Sequence, residues 1–370
     1  MAHARTTSFA SADRTVPAET ATIRRRIRGA LPAEALKPRR VRALTVLALV
    51  AAIAALTVAL VAAPLPGAAA LLLSLVCGCL YGSLFFVGHE VGHGAVVKSR
   101  AAQWALMWPA FSIFVLSPTL WRVWHNKVHH GHTNRAEYDP DNFGFPSSFE
   151  TCRSVRLVAA LTPGSGRLGS LLYLPIWFTV HTQVVLWRQS LHCRGFESLD
   201  RPRAIAETVA MALLWVGLGW WIGPWASLVA IVIPMLVANT SVMSYVVTNH
   251  LLLPLVEDDD QLATTMSVTT HRWLDLLHFN FSHHAEHHMF PAMSSKYSPL
   301  VRAELRRHAG DRYLAPPHWK ALRMVFGTPR FHDPHDVLVD PASDRRTTVA
   351  EVTEALRAGA AEPSHRGVKR

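Results

Sequence analysis

Long uncharged apolar runs divide this chain, and each has the length of a membrane-crossing helix. A helix needs about 20 apolar residues to cross a bilayer. Four runs meet that requirement, and they cover residues 43–63, 68–88, 205–222 and 225–247. Only the third contains a charged residue, Glu207, close to its start. Short turns containing proline and glycine separate the first run from the second and the third from the fourth. The pattern therefore predicts two helical hairpins.

Two further apolar segments are ambiguous. Residues 104–120 are uncharged but are interrupted by Pro109 and Pro118, and residues 168–187 contain Pro175. If either segment crossed the membrane alone, every later segment would change sides. We therefore interpret both as interfacial or re-entrant. The expected fold is an all-α integral membrane protein with four transmembrane helices in two hairpins and a cytoplasmic helical cap.

The two ends of the chain differ from the apolar middle. Residues 1–40 are rich in Ala, Thr and Arg and lack the apolar core of a signal peptide, so we predict a disordered basic segment. Residues 41–310 form the predicted membrane domain. Residues 311–370 are polar and interrupted by proline, which predicts a flexible cytoplasmic tail with one short surface helix over residues 347–357.

Composition supports a membrane protein and indicates its orientation. Half of the residues are hydrophobic, 17% are charged, and the net charge is +11. Bases flank the apolar runs, whereas the two hairpin turns carry no Lys or Arg. The positive-inside rule therefore places both termini and the central loop on the cytoplasmic side of a multi-pass protein, in the cell membrane if the source is bacterial. No nucleic-acid recognition motif accompanies the positive charge, so we predict no nucleic-acid partner.

Histidine is the residue type that carries the candidate chemistry. Several of the 21 histidines lie in three clusters near the ends of the apolar runs, with spacings of three or four residues that share a helix face. Neutral imidazole is the commonest metal ligand in proteins. The candidate ligands are His89, His93, His125, His129, His130, His250, His284, His287 and His288. With two hairpins, all nine meet on the cytoplasmic side.

Nine imidazoles exceed the needs of one ion, because a structural zinc site takes four ligands. Two ions would share them and keep open positions, although imidazole suits Fe, Cu, Zn and Ni alike. Neighbouring side chains could orient the ligands; these candidates are Glu90, His132, Asn280, His283 and Glu286. We expect Glu90 to hydrogen-bond a ligand imidazole. Glu137, Asp139 and Asp141 either support the site or pair with Arg135, and pairing is the simpler expectation.

The three clusters resemble the histidine boxes of the membrane fatty acid desaturase family. The matching stretches are His89-Glu90-Val91-Gly92-His93, His125-Asn126-Lys127-Val128-His129-His130 and His284-Ala285-Glu286-His287-His288, within a resemblance that covers roughly residues 43–300. His250 matches an additional histidine of the family. Two departures are Glu90, where many members have Asp, and His283, which adds a fourth histidine to the third box.

The resemblance implies two non-haem iron ions, O2 as co-substrate, and removal of two hydrogens from an acyl chain. The substrate would be an acyl lipid, acyl-CoA or acyl-carrier protein. The chain has no His-Pro-Gly-Gly element of a fused cytochrome, so a separate electron donor is expected, a ferredoxin or a similar protein with its reductase. Four tryptophans either line an acyl tunnel or anchor the protein at the membrane interface; they are Trp121, Trp124, Trp177 and Trp187.

Three alternatives stay open at this point. The same boxes occur in hydroxylases, acetylenases and carotenoid ketolases. A membrane zinc protease would use His89, Glu90 and His93, with Glu90 as the base, but the other candidate ligands would then have no role. A non-catalytic metal-binding or transport protein would place its ligands within the spans, whereas these lie at span ends.

Overall fold

The computed structural model describes residues 16–343 and 345–358, and most of this part is helical. Its α-helices are α1 Ala18–Ala30, α2 Val41–Ala62, α3 Gly67–Gly92, α4 Arg100–Ser112, α5 Pro118–Val123, α6 Pro146–Thr151, α7 Arg153–Leu161, α8 Tyr173–Val184, α9 Ser190–His192, α10 Arg201–Ile222, α11 Pro224–Ser227, α12 Ile233–Asn249, α13 Gln261–Thr264, α14 Arg272–Leu277, α15 His284–Met289, α16 Ser298–His308, α17 His318–Gly327 and α18 Val349–Arg357. Three π-helical segments are Trp124–His129, Val185–Gln189 and Leu228–Val232, and 3-10 turns occupy Ala33–Leu36, Leu168–Leu172, Ser295–Tyr297 and Gly310–Arg312. The strands are β1 Phe331–His332, β2 Val337–Val339 and β3 Arg346–Thr348.

Five helical segments of the described chain are long and apolar enough to cross a membrane. Four agree with the predicted spans to within a few residues, and their bounds are Val41–Ala62, Gly67–Gly92, Arg201–Ile222 and Pro224–Asn249. The fifth, Leu168–His192, overlaps the segment that the sequence predicted to be interfacial. Length and composition alone do not place it in or on the bilayer, so the number of four spans stays a prediction. Residues 104–120, in contrast, are divided between α4 and α5 and form no such helix.

Helix α3 packs closely against α12 because small residues lie at their interface. A Cβ atom added at Gly78 would lie 2.5 Å from Cβ of Val237, so only glycine permits this separation of the two helices. One turn earlier, the hydroxyl of Ser74 donates a hydrogen bond to the carbonyl of Val229 at 2.6 Å. The packing holds the C-terminal ends of α3 and α12 side by side, and these ends carry the first histidine box and His250.

The prediction of disorder over residues 1–40 is wrong for the described part of that segment. Helix α1 buries Ile23 and Ile27, which are four residues apart and share one face. Both pack in a hydrophobic cluster with Ala285 and Met289 of α15. The four arginines between and beside the two isoleucines conceal this narrow apolar stripe in the composition. Residues 1–15 lie outside the described residues.

The C-terminal segment is also more ordered than its polarity suggested. Helix α17 and a three-stranded antiparallel sheet in the order β1-β2-β3 precede α18, so the expectation of an all-α fold and a flexible tail is wrong here. The short surface helix was predicted over 347–357, and α18 covers Val349–Arg357. Its N-terminus is capped by Thr348 and Glu351, each bonding the backbone amide of the other.

Candidate metal centre

The structure brings all nine candidate ligands together, and it divides them into two groups. Group one contains His89, His93, His125, His130 and His287. Group two contains His129, His250, His284 and His288. Within each group, one side-chain nitrogen of every member lies within 4.8 Å of the others. The arrangement therefore has two potential ion positions.

The second box reaches both groups because its backbone is π-helical. Over Trp124–His129 the helix is wider, and the amide of His130 donates to the carbonyl of His125, five residues earlier, at 3.0 Å. This spacing places His125 and His130 in group one and turns His129 towards group two. The i,i+4 spacing alone had predicted one shared face for His125 and His129. Single π turns of this kind are frequent at functional sites.

The third box also serves both groups. Helix α15 directs His284 and His288, which are four residues apart, to group two, and His287 to group one. His250 follows the last residue of α12 and joins group two, where its Nε2 lies 2.7 Å from Nε2 of His284. Two short segments thus connect the two groups, so a shift of α15 would disturb both.

The distances between imidazole nitrogens fit metal ligation. In group one, Nε2 of His125 lies 2.9 Å from Nε2 of His89 and 3.2 Å from Nε2 of His130, whose Nε2 lies 3.0 Å from that of His287. Two nitrogens bound about 2.1 Å from one ion, at a right angle, are about 3 Å apart. Among the described residues, the buried Nε2 atoms of His93 and His288 have no hydrogen-bond partner, so both are free to bind an ion.

Burial keeps most of these rings neutral. It lowers the pKa of His287 and of His250 to about 3, and the pKa values of His125, His130 and His284 lie well below the usual range for the same reason. Neutral imidazole is the form that binds a metal. The protein therefore presents these rings in their ligating state without any need to displace protons at neutral pH.

His129 differs from the other rings because carboxylates face it. Burial opposes its charge, but Asp139 raises its pKa to about 9. Its Nδ1 donates to Asp139, whose two oxygens are both 3.2 Å away, and lies 3.1 Å from an oxygen of Asp141. The expected pairing of these acids with Arg135 is wrong, since Arg135 lies 3.7 Å from Asp259. The carboxylate on Nδ1 orients the ring, and a metal bound at Nε2 would replace the proton there.

Replacement of Asp139 by Asn should weaken the metal site. All groups bonded to its carboxylate are donors: Nδ1 of His129 and the backbone amides of Asn134 and Asp141. An asparagine amide offers one acceptor oxygen and would turn a donor towards another donor. We expect a loss of about 10- to 100-fold in metal affinity or activity, measured as iron retained against a chelator and as turnover.

The matched control for Asp139→Asn is Glu137→Gln. Glu137 is two residues away, exposed, and paired with Arg194 at 3.4 Å. This change removes the same charge without touching a histidine, so iron retention should stay at the wild-type level. Equal iron retention by Asp139→Asn and Glu137→Gln would contradict the orienting role of Asp139.

The predicted orienting side chains mostly hold the backbone around the site. Glu90 does not hydrogen-bond a ligand imidazole, contrary to expectation. It accepts bonds from the amide and hydroxyl of Ser295 and faces Arg42 at 3.8 Å. Asn280 holds the same residue, donating to the carbonyl of Ser295 at 2.9 Å. His283 contacts the hydroxyl of Ser282 at 3.0 Å.

The other two candidates also contact residues outside the groups. The ring of His132 packs against Tyr138 and lies 3.8 Å from Asp259. Glu286 is fully buried and accepts bonds from Arg302 at 2.7 Å and Tyr313 at 2.6 Å. Glu286 therefore fixes the helix that presents three of the nine rings, rather than any one ring.

An apolar cavity of about 670 Å³ ends at both histidine groups. His89 and His125 of group one and His129, His250 and His284 of group two lie in its wall. The four tryptophans that the sequence proposed for a tunnel all line it: Trp121, Trp124, Trp177 and Trp187. A cavity this size and this apolar is suited to a flexible hydrocarbon ligand.

Two features of the cavity wall were not apparent from the sequence. Trp121 stacks on His125 with ring centroids 4.5 Å apart, and a Cβ atom at Gly92 would lie 2.1 Å from that indole. Gly92 is therefore required for the close approach of Trp121 to the site. His181, which is not among the candidate ligands, lines the cavity and lies 2.8 Å from Asp141. The sequence signal that could have identified His181 was its position as a single histidine within an apolar run.

A comparison with known protein families agrees with this geometry. The fatty acid desaturase model matches residues 66–320, which is more than half of the chain and includes all nine histidines. The chain belongs to the fatty acid desaturase family. The resemblance predicted from the three boxes is thus confirmed, and membership of the family makes this protein an oxidoreductase.

Two curated relatives of this desaturase-family protein indicate its distance from characterised members. It is 23% identical over 267 residues to an sn-1 oleoyl-lipid 12-desaturase from Synechocystis sp., a match that covers 68% of this chain and 72% of the relative. It is 24% identical over 268 residues to a chloroplastic omega-6 fatty acid desaturase from Spinacia oleracea, covering 69% of this chain and 58% of the relative.

Proposed function

We propose that this protein is an O2-dependent fatty acyl desaturase that introduces a C=C bond into an acyl chain at a di-iron centre. The observation that carries the proposal is the position of two histidine groups, of five and four members, at one apolar cavity whose wall includes five of these nine rings. A metal protease or a transport site would have no use for a hydrocarbon-sized cavity at this point. The desaturase relatives support the same reaction class.

The reaction balance defines what the site has to provide. The acyl CH2–CH2 unit loses two hydrogens and becomes CH=CH, and O2 is reduced to two molecules of water. Two electrons come from the acyl chain, so two more electrons and two protons must come from elsewhere. The chemistry that two irons would supply here is O2-dependent removal of hydrogen from an unactivated methylene, which no side chain can perform alone.

The protein's own residues bind and orient. Group one and group two would each hold one iron, and Asp139 and the carbonyl of Thr264, the latter 2.9 Å from Nδ1 of His250, fix two of the rings. Aromatic walls, including Trp121 stacked on His125, confine the acyl chain beside the groups and exclude water. Placement of one methylene pair near the site then selects the bond that is oxidised.

The proposed reaction requires two partners, a carrier of the acyl chain and a donor of electrons. The acyl chain is carried by a membrane lipid, because the Synechocystis relative is a lipid desaturase; acyl-CoA and acyl-carrier protein are the alternatives. The two external electrons come from a ferredoxin or a similar donor with its reductase. The site and both termini are proposed to face the cytoplasm, as the distribution of bases indicates.

The decisive test is a lipid profile after expression in a host that lacks the protein. We expect a new unsaturated acyl species in the lipid pool, with the double-bond position read by mass spectrometry, and about two irons per purified chain. Double bonds that appear first in the acyl-CoA or acyl-carrier-protein pool would identify that molecule, rather than a membrane lipid, as the acyl carrier. Saturated, hydroxylated products would change the reaction to that of a sister hydroxylase, and one zinc per chain would overturn the proposal.

A further inference from the structure

Arg330 is a buried arginine that has no counter-ion among the described residues. It lies between α17 and β1, and only 3% of its surface is exposed. Its Nη1 donates to the carbonyl of Pro329 at 2.9 Å. Its Nε and Nη2 are buried, and neither has a hydrogen-bond partner in the part of the chain that the structure describes. Tyr173 and Arg345 are the groups that influence its charge, and neither is a carboxylate.

This guanidinium is charged at neutral pH, so its isolation requires an explanation. Burial lowers the pKa of Arg330 to about 9, which is still above neutrality. A buried charge without a partner is strongly destabilising. Nε and Nη2 form one edge of the planar guanidinium, and that edge binds two oxygens of a phosphate or carboxylate in parallel. Both unsatisfied atoms thus belong to a single anion-binding edge.

The neighbouring loop passes directly beside this buried edge and places no side chain against it. Gly164 has a φ of +85°, and a Cβ atom there would lie 1.9 Å from the carbonyl oxygen of Thr328 and 3.0 Å from Nη2 of Arg330. Any side chain at this position would crowd the guanidinium. Arg345 secures the loop by donating to the carbonyl of Gly164, and its own charge is paired with Asp340 at 3.1 Å.

Arg330 also lies close to one wall of the acyl cavity. Tyr173 lines the cavity and is near enough to interact electrostatically with Arg330. The next residue, Phe331, packs against Phe143, another wall residue, with ring centroids 6.1 Å apart. No hydrogen bond in the described chain joins Arg330 to a member of the histidine groups, and its one hydrogen-bond partner is the carbonyl of Pro329. An anion here would lie beside the apolar part of a ligand.

We propose that the Nε–Nη2 edge of Arg330 binds a phosphate group, carried by the head of the acyl substrate or present as free phosphate. Phosphate fits better than carboxylate, because the acyl carboxyl is esterified in every carrier under consideration, whereas phosphate is the anionic group of phospholipids and coenzyme A. The head-group source rests on the proposed desaturase function; the binding of phosphate by Arg330 does not.

The test measures thermal unfolding of the purified full-length protein in detergent, without using activity. Inorganic phosphate, titrated at constant ionic strength, should raise the unfolding midpoint of the wild type in a saturable manner. Arg330→Met should abolish this response, while its midpoint without phosphate is equal to or above that of the wild type, because the isolated charge is gone. Arg330→Lys keeps the charge without the two-donor edge and should show a response reduced at least severalfold.

Two control variants isolate the role of Arg330. Arg346→Met removes an exposed arginine of the same segment that is paired with Asp333 at 3.6 Å, and Asp344→Asn removes an acid of this segment that lies outside the described residues. Both should retain the phosphate response. If Arg330→Met responds like the wild type, or if the wild type responds to neither phosphate nor phospholipid, the proposal is overturned.

A second arm identifies the source of the phosphate. Phosphatidic acid and diacylglycerol, with the same acyl chains, are compared in the same micelles. Stabilisation by phosphatidic acid but not by diacylglycerol, dependent on Arg330, supports a lipid head group. Stabilisation by inorganic phosphate alone supports a free ion. Desaturation measured in parallel separates the hypotheses: phosphate binding without unsaturated product contradicts only the proposed function, and the reverse contradicts only this inference.

Discussion

His287→Ala should abolish desaturation and reduce bound iron while the protein still inserts into the membrane. His287 is the member of α15 that belongs to group one, and its Nε2 lies 3.0 Å from Nε2 of His130. Loss of a residue that only orients a metal ligand costs about 10- to 100-fold, so loss of a ligand should cost more than about 100-fold in turnover. Iron should fall below two per chain.

The control for this prediction is His192→Ala. His192 is exposed at the end of α9 and bonds the carbonyl of Arg188 at 2.7 Å, so its removal should leave iron content and turnover unchanged. Membrane fractionation and iron analysis are read beside activity to separate loss of metal from loss of folded protein. Full desaturation by His287→Ala, with two irons per chain, would show that the box assignment is wrong.

The parts of the fold that were predictable depend on local sequence. Apolar runs, turn residues and flanking bases lie next to each other in the chain, so the helices Val41–Ala62 and Gly67–Gly92 were predictable to within a few residues. Histidine spacing is also local, and it identified eight of the nine rings that the structure brings together; His250 was identified by its place after the last apolar run. The same local reasoning does not decide whether Leu168–His192 crosses the bilayer.

What the sequence did not predict depends on tertiary contacts. Membership of His125 and His129 in different groups requires a π turn, and π turns have no simple sequence signature. Asp139 is one of three acidic residues that follow the second box. Only the folded structure shows that Asp139, rather than Glu137, faces His129. Ile27 of α1 is buried because α15 and α16 cover it, and its own segment is strongly basic.

Glu90 shows the limit of an argument from motif spacing. Its position between His89 and His93 suggested a bond to a ligand ring. In the structure the carboxylate turns instead to Ser295, a residue more than 200 positions later in the chain. A glutamate on a helix that carries ligands on one face must point to another face, and the partner on that face comes from a distant segment.

Removal of Glu286 should cause the largest loss of stability, because it leaves Arg302 buried without its partner. Glu286 is fully buried and Arg302 is nearly so, with 2.7 Å between Nε and Oε1. Burial would raise the pKa of Glu286, but Arg302 and the hydrogen bonds lower it, so the pair is ionised. Breaking such a buried pair costs about 3–5 kcal/mol. Thermal or denaturant unfolding of Glu286→Ala in detergent should show this loss.

A double variant distinguishes an isolated charge from a general packing defect. When Glu286→Leu is combined with Arg302→Met, no charge remains, and apolar replacement of a buried pair is often neutral. The double variant should therefore be more stable than Glu286→Ala or Glu286→Leu alone. Because α15 carries His284, His287 and His288, iron content should follow stability across the series. A double variant as unstable as the single one would show that Glu286 acts through packing alone, rather than by neutralising Arg302 behind the metal centre.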